Sequence, residues 1–202
     1  LIGGRFDKHN LIDGLIFSPR ANVRFNPSEN INFRASYSAG FRAPQAFDED
    51  LHIEAVGGGV SMIELASDLQ EEKSHSFSLS ADLYQRWGDF QGNLLVEGFY
   101  TTLNDVFALR EKSHENGILT LERHNASGAN VYGVTMEGKL VYQNKLQLQA
   151  GATLQKSEYK EPEQWSETAK AEKRIARTPE AYGYFTLSYT PIKPLTAAFS
   201  GT

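Results

Sequence analysis

The chain has 202 residues, of which 40% are hydrophobic and none is cysteine, and its net charge is −5. The absence of cysteine excludes a disulfide framework and a thiolate metal site. The mild, dispersed negative charge argues against a nucleic-acid partner, which requires a concentrated basic face. No run of residues approaches the length of a transmembrane helix, about eighteen apolar positions. A membrane-spanning strand requires only about ten alternating residues, so strands through a membrane stay possible.

Hydrophobic and polar residues alternate with a period of two through much of the chain, as half-buried β-strands require. The clear segments, in chain order, are residues 21–25, 31–38, 76–83, 146–155 and 181–189. Poorer alternation near residues 94–100 indicates one more strand. Residues 161–177 lack alternation and are rich in Glu, Lys, Ala and Gln, which predicts a solvated charged loop with a partial helix.

Short and long connections alternate between these strands. Each short connection contains Pro, Gly, Asn or Asp, which adopt turn dihedral angles at little cost. The short turns lie at residues 26–30, 87–89, 143–145 and 191–194, and the long connections span roughly 9–20, 41–70, 109–128 and 157–178. Strict short–long alternation is the layout of outer-membrane barrels, with tight periplasmic turns and large extracellular loops. The pattern therefore predicts about eight or nine antiparallel strands in an up-and-down meander.

The direction of the two strand faces stays open at this point. A lipid-spanning barrel turns its apolar face outward, whereas a soluble β-sandwich turns it inward, and alternation is the same in both. Aromatic residues near predicted strand ends, among them Tyr37, Trp87 and Tyr142, favour the barrel, because its membrane interfaces carry aromatic girdles.

One segment is more specific than the alternation. It closes a predicted strand and reads Gly40, Phe41, Arg42, Ala43 and Pro44. A second strand opens within residues 68–76, after a long polar loop. Together the two segments resemble the barrel signature of TonB-dependent outer-membrane receptors. Three further segments resemble that family in order: residues 18–23, 125–138 and 177–189. Residues 66–70 read Ala-Ser-Asp-Leu-Gln and depart from the family's usual Asn-Pro-Asn-Leu.

The resemblance implies an all-β fold, an antiparallel up-and-down transmembrane β-barrel segment with long extracellular loops. Full barrels of this family have about 22 strands around a plugged lumen, so eight or nine strands would be a portion. Both ends of the sequence read as points inside a longer pattern. We therefore expect residues 1–202 to be part of a receptor barrel, with the plug domain and the remaining strands absent.

The resemblance also implies a function in nutrient import. Such receptors lie in the outer membrane of Gram-negative bacteria and take up a scarce nutrient complex, with haem, cobalamin and ferric siderophores as cargo candidates. The implied partners are outer-membrane lipid, the receptor's own plug domain, the TonB energy-transducing complex and a possible surface lipoprotein. The resemblance implies no intrinsic cofactor. Because no nucleophile or metal-hydrolase signature is present in the sequence, we predict no enzymatic activity.

The candidate ligand-binding residues lie in and beside the long connection after Pro44. His52 is the leading candidate, because haem receptors of this family often carry a ligating histidine there, and an imidazole binds haem iron axially. A solvated loop histidine is the alternative. Asp48 and Asp50 flank Glu49 in an acidic cluster that could help hold Ca²⁺ or face solvent. Arg42 is expected to pair with an inward carboxylate, with direct ligand contact as the alternative.

Two other classes of protein fit parts of the same pattern. One is a small, self-contained outer-membrane barrel of about eight strands with a structural or adhesive role. The other is a soluble β-sandwich module that binds carbohydrate or protein with its long loops. The ordered receptor segments argue against the first class, and solubility without detergent would separate the second from a membrane barrel.

Overall fold

The computed structural model describes residues 1–10, 12, 14–44, 60–115, 118–163, 170–175 and 178–202. In these residues the chain is all-β, and no helix among them is long and apolar enough to cross a membrane. The strands are β1 (Ile2–Asp7), β2 (Ile16–Ser28), β3 (Ile31–Arg42), β4 (Val60–Leu65), β5 (Glu72–Trp87), β6 (Phe90–Asn104), β7 (Phe107–Glu115), β8 (Ile118–Asn125), β9 (Ala129–Tyr142), β10 (Leu146–Glu163), β11 (Glu172–Arg174), β12 (Ala181–Ile192) and β13 (Leu195–Gly201).

Nine of these strands form one antiparallel sheet in the order β1-β2-β3-β5-β6-β9-β10-β12-β13, which we call the main sheet. Each strand of the main sheet pairs with the main-sheet strand that follows it in the sequence. The short strand β11 pairs with the C-terminal end of β10. The predicted all-β, antiparallel, up-and-down arrangement of about eight or nine strands is therefore confirmed. The weakly alternating segment at residues 94–100 lies in β6, which pairs with β5 and β9 over its length.

The four predicted short turns are all present, and all lie at one end of the main sheet. They connect β2 to β3, β5 to β6, β9 to β10 and β12 to β13. Gln143 and Asn144 have φ angles of 50° and 56°, and Gly88 has a φ of 59°. Left-handed residues in a tight hairpin match the right-handed twist of the paired strands. Because the short turns share one end, the long connections lie at the opposite end.

The long connections contain strands that the alternation did not reveal. β8 pairs in parallel with β4 and antiparallel with β7, and these three strands form a separate sheet, which we call the outward sheet. In β7 the residues Arg110, Glu111 and Lys112 are consecutive charges, and the pairing with β8 shifts register between Glu111 and Ser113. A bulged, charged ribbon has no period-two hydrophobic pattern, so the sequence predicted only a connection at residues 109–128.

The partial helix predicted within residues 161–177 is wrong for the described part of that range. β10 continues to Glu163, and residues 172–174 form β11, which pairs antiparallel with β10. Glu, Lys and Ala have high intrinsic helix propensities. Here backbone pairing with the long neighbouring strand overrides that local preference.

On the main sheet the apolar face is exposed and the polar face is buried, the reverse of a soluble sheet. Cross-strand register brings apolar side chains together on one face, and these stay exposed: Leu79 is 63% exposed and Met136 is 49% exposed. Polar residues line the other face, where Ser80 is 7% and Thr153 is 6% exposed. A soluble sandwich would bury the apolar face, whereas the inner surface of a curved barrel wall carries the polar one. The arrangement is that of a barrel wall and not that of a soluble sandwich.

Candidate functional site at the loop end of the main sheet

The loop end of the main sheet contains the buried apolar side chains of the described residues. Ile12 and Ile16 pack with Ala43, and Phe41 packs against this cluster. The other buried apolar residues of the described part belong to the same end: Ala66, Val106 and Ala129. In the rest of the main sheet the apolar side chains face outward. The loop end is therefore where the chain builds a small, specific core.

The Gly-Phe-Arg-Ala-Pro segment spans the end of β3 and the first residues beyond it. Phe41 joins the apolar cluster, and Ala43 and Pro44 are buried beside it. At Gly40 an added Cβ would lie 3.0 Å from Ser74 Oγ, so the Ser74 side chain packs over the space that the missing side chain leaves. Arg42 points to the polar face and is about half exposed. The segment therefore ends the strand with an apolar anchor on one side and a guanidinium on the other.

Arg42 makes the predicted pair with a carboxylate of the polar face. Its Nε lies 2.6 Å from Glu72 Oε2, on the neighbouring strand β5. The backbone N–H of Phe107 donates to the other oxygen, Glu72 Oε1, at 2.8 Å. The Arg42 guanidinium also lies 5.0 Å from the centroid of the Phe107 ring. Glu72 thus joins the end of β3 to the first residue of β7.

Asn125, the last residue of β8, makes a second connection. Its Oδ1 accepts the backbone N–H of Gln70 at 2.8 Å, and its Nδ2 donates to the Gln70 carbonyl at 3.0 Å and the Asp105 carbonyl at 2.7 Å. Sequence reasoning singled out Asn125 and Glu72 only as parts of family-like segments, and it missed Phe107. The available signal was weak, since Glu72 was one of several charges at the start of β5.

The outward sheet carries a charged cluster on one side. Lys112 Nζ lies 2.8 Å from Glu64 Oε2 and 3.5 Å from Glu122 Oε1, and Arg110 pairs with Glu122. The Arg110 hydrogen bond is the main reason that the pKa of Glu122 is lowered below its ordinary value of 4.5. The Glu64 hydrogen bond raises the pKa of Lys112 above 10.5. All three strands of the outward sheet contribute to this cluster.

These pKa shifts predict that acid loosens the outward sheet. Because the folded-state pKa of Glu122 is lowered, its stabilisation is complete above pH 4.5 and is lost as pH falls through the lower folded value. We expect amide protection of β7 and β8, corrected for intrinsic exchange, to be equal at about pH 7 and pH 5 and weaker at about pH 3. Glu122→Gln should show a smaller acid-dependent loss, and equal losses in both proteins would contradict the assignment.

The other predicted site residues are placed as follows. His52, Asp48 and Asp50 lie outside the described residues, so their roles stay predictions. His75, near the start of β5, has its Nδ1 2.9 Å from the Tyr37 hydroxyl on the neighbouring strand. Within the described ranges, no group of three or more His, Asp or Glu side chains is arranged to hold a metal ion.

Comparison with known proteins gives one family and several structural relatives. The sequence matches the family described as TonB dependent receptor-like, beta-barrel, over residues 1–201, and no curated protein matches it. The siderophore receptor PirA from Pseudomonas aeruginosa has a TM-score of 0.66 and 20% identity, with 99% of this chain and 36% of that chain covered. HasR from Serratia marcescens, solved with its hemophore HasA and heme, has a TM-score of 0.68 and 15% identity, with 93% of this chain and 32% of that chain covered.

A third receptor, PirA from Acinetobacter baumannii, has a TM-score of 0.69 and 14% identity, covering 98% of this chain and 30% of that one. At such identities the structural likeness shows the fold. The chain spans between 24% and 36% of the length of the solved structures that it matches. Since the family match covers all but the last residue, the chain belongs to the TonB-dependent receptor-like β-barrel family.

Proposed function

We propose that the chain forms part of the wall and several extracellular loops of a receptor in the outer membrane of a Gram-negative bacterium. The receptor imports a scarce nutrient complex. The observation that supports this proposal is the inverted sheet, in which Leu79 is exposed and the adjacent Ser80 is buried. An exposed apolar face of this size is stable against lipid and unstable in water. In this proposal residues 1–202 belong to a larger barrel, whose plug domain and remaining strands lie outside this sequence.

The proposed transport uses energy from partner proteins. The polar face of the main sheet contacts the receptor's own plug domain, and the apolar face contacts outer-membrane lipid. The TonB complex acts on the plug from the periplasmic side, where the short turns lie, and a surface lipoprotein could act on the outward loops. This chain supplies binding surface and a wall, and it catalyses no covalent reaction.

The proposed cargo is haem, a ferric siderophore or cobalamin. The family contains receptors for siderophores and for haem carried by a hemophore, as the relatives above illustrate. His52 favours haem within this set, because a neutral imidazole nitrogen is a ligand for haem iron. Asp48 and Asp50 are proposed to act beside it in the same connection, and Arg42 at its start.

The proposed function is tested by titrating the full-length receptor in detergent with haem, cyanocobalamin and a ferric catecholate siderophore. Saturable binding of one cargo, together with its uptake by cells that require the TonB complex, would support the proposal. Binding of none of the three would contradict nutrient import and would favour a structural or adhesive barrel.

We expect His52→Ala to abolish the haem-induced shift of the Soret band, because the substitution removes the proposed axial ligand. The measurement is a haem titration of the full-length receptor, read by absorbance. His114→Ala is a matched control, since His114 is an exposed histidine on β7 of the outward sheet. If the two variants bind haem equally well, His52 has no role in haem binding.

A further inference from the structure

The outward sheet is a separate unit attached to the wall at its base. Its three strands pair only with one another in the described part of the chain. The contacts that join it to the main sheet gather at three short stretches: residues 70–72 before and at the start of β5, residues 105–107 after β6, and residues 123–125 at the end of β8. A sheet attached at one end can change its position relative to the wall as a body.

Glu72 is at the centre of this attachment. One carboxylate oxygen faces Arg42 Nε at 2.6 Å, and the other accepts the Phe107 N–H at 2.8 Å. Its side chain is only 16% exposed, so both interactions are partly shielded from water. Hydrogen bonds to a charged group in such surroundings are stronger than those between neutral groups. The carboxylate therefore holds the wall and the outward sheet together through a single side chain.

The ring of Phe107 strengthens the same attachment. The guanidinium of Arg42 lies 5.0 Å from its centroid, and the guanidinium of Arg123 lies 6.0 Å from it. Arg123 is 3% exposed, and a cation over an aromatic face gains most when it is removed from water. Arg42 comes from the wall and Arg123 from the outward sheet, so the ring contacts both bodies.

We propose that Arg42 and Glu72 are positioning residues, which hold the outward sheet in place at the loop end of the barrel and thereby slow the release of bound cargo. The statement about cargo rests on the proposed import function. The statement about position rests on the contacts alone. Arg42 acts through Glu72 and Phe107 in this arrangement. The family-like segment at residues 40–44 would thereby help to hold the outward sheet at the barrel opening.

Glu72→Gln is the sharpest test of position, because an amide has a single acceptor oxygen and can serve only one of the two donors. In the full-length receptor we expect hydrogen exchange of peptides from residues 107–125 to become about tenfold faster or more. Exchange in β5 and β6 of the wall should not change. Glu64→Gln is the matched control, since it removes an ion pair inside the outward sheet and leaves the attachment intact, and it should speed exchange of the same peptides much less than Glu72→Gln does.

A double-mutant cycle separates positioning from general stability. Once Arg42→Met has removed one donor, the amide of Glu72→Gln can serve Phe107, so the second substitution should add much less than it does alone. Additive effects, faster exchange throughout the wall, or unchanged exchange in Glu72→Gln would each overturn the proposed positioning role of Arg42 and Glu72.

The proposed effect on cargo release is tested separately, by the dissociation rate of the cargo. For the cargo among haem, cyanocobalamin and a ferric catecholate that binds the unaltered receptor, we expect Glu72→Gln to raise the dissociation rate about tenfold, with Glu64→Gln near the unaltered rate. Equal dissociation rates in the two variants would overturn this part. Failure of all three cargoes to bind would overturn the import function, while the exchange experiment would still decide whether Arg42 and Glu72 hold the outward sheet in place.

Discussion

Met136→Lys is expected to destabilise the folded receptor in a membrane by about 2–4 kcal/mol, the cost of a lysine near the middle of the lipid face of a barrel. Met136 lies on the apolar face, 49% exposed, and pairs in register with Val96 and Ala152 on the two neighbouring strands. Tyr132 and Tyr142 lie on the same face of β9, one on each side of Met136 along the strand. Met136 therefore lies between two aromatic side chains. A charge at this depth has no water and no partner.

The measurement is urea unfolding of the full-length receptor refolded in lipid vesicles. The control is Thr135→Lys, one residue earlier on the polar face, where the side chain faces Thr153 at 3.0 Å between hydroxyl oxygens. The control loses one neutral hydrogen bond, worth about 1 kcal/mol. A receptor that tolerates Met136→Lys as well as Thr135→Lys would reverse the assignment of the two faces and remove the basis of the proposed function.

Gly128→Ala is expected to cost about 3 kcal/mol or more of folding free energy. Gly128 precedes β9 and has a φ of +112°, a conformation that an alanine adopts only with strain. An added Cβ would also lie 2.2 Å from the carbonyl oxygen of Leu103 at the end of β6, so the backbone itself would have to move. The two costs act together, because relieving one contact shifts the junction of β6 with β9.

Gly98→Ala is the matched control for this substitution. Gly98 lies in the middle of β6, and apart from Gly98 itself and its two chain neighbours no described residue has an atom within 4 Å of the position that its Cβ would take. We expect its effect on the free energy of unfolding, obtained from the urea unfolding curve, to stay within about 0.5 kcal/mol. If Gly128→Ala unfolds at the same urea concentration as Gly98→Ala, the close approach at Leu103 does not exist in the folded receptor.

The wall strands and the short turns could be predicted because their signals are local. Alternation along β3 and β5 is visible within a few residues, and turns such as Gly88 and Asn144 use residue types that favour left-handed backbone. The outward sheet could not be predicted in the same way. Its strand β7 has charges at three consecutive positions, and β4, the parallel partner of β8, lies far from β8 in sequence.

Part of the candidate site could likewise be predicted from the sequence, and part of it could not. The segment at residues 40–44 was recognisable because its five residues are contiguous. The partner of Arg42 and its link to the outward sheet depend on contacts between distant positions: Glu72 and Phe107 are 35 residues apart, and Gln70 and Asn125 are 55 apart. No local pattern marks such pairs, since only the tertiary fold brings residues so distant in sequence together.

Alternation therefore established that the chain forms long antiparallel strands with one apolar and one polar face, because side chains of a strand point to opposite sides in turn. Alternation is symmetric, however, and it assigns neither face to the inside. Only the tertiary structure decided this, by leaving Leu79 and Met136 exposed and burying Ser80 and Thr153. The curvature of the sheet, a property of many paired strands together, is the physical reason that no single strand carries this information.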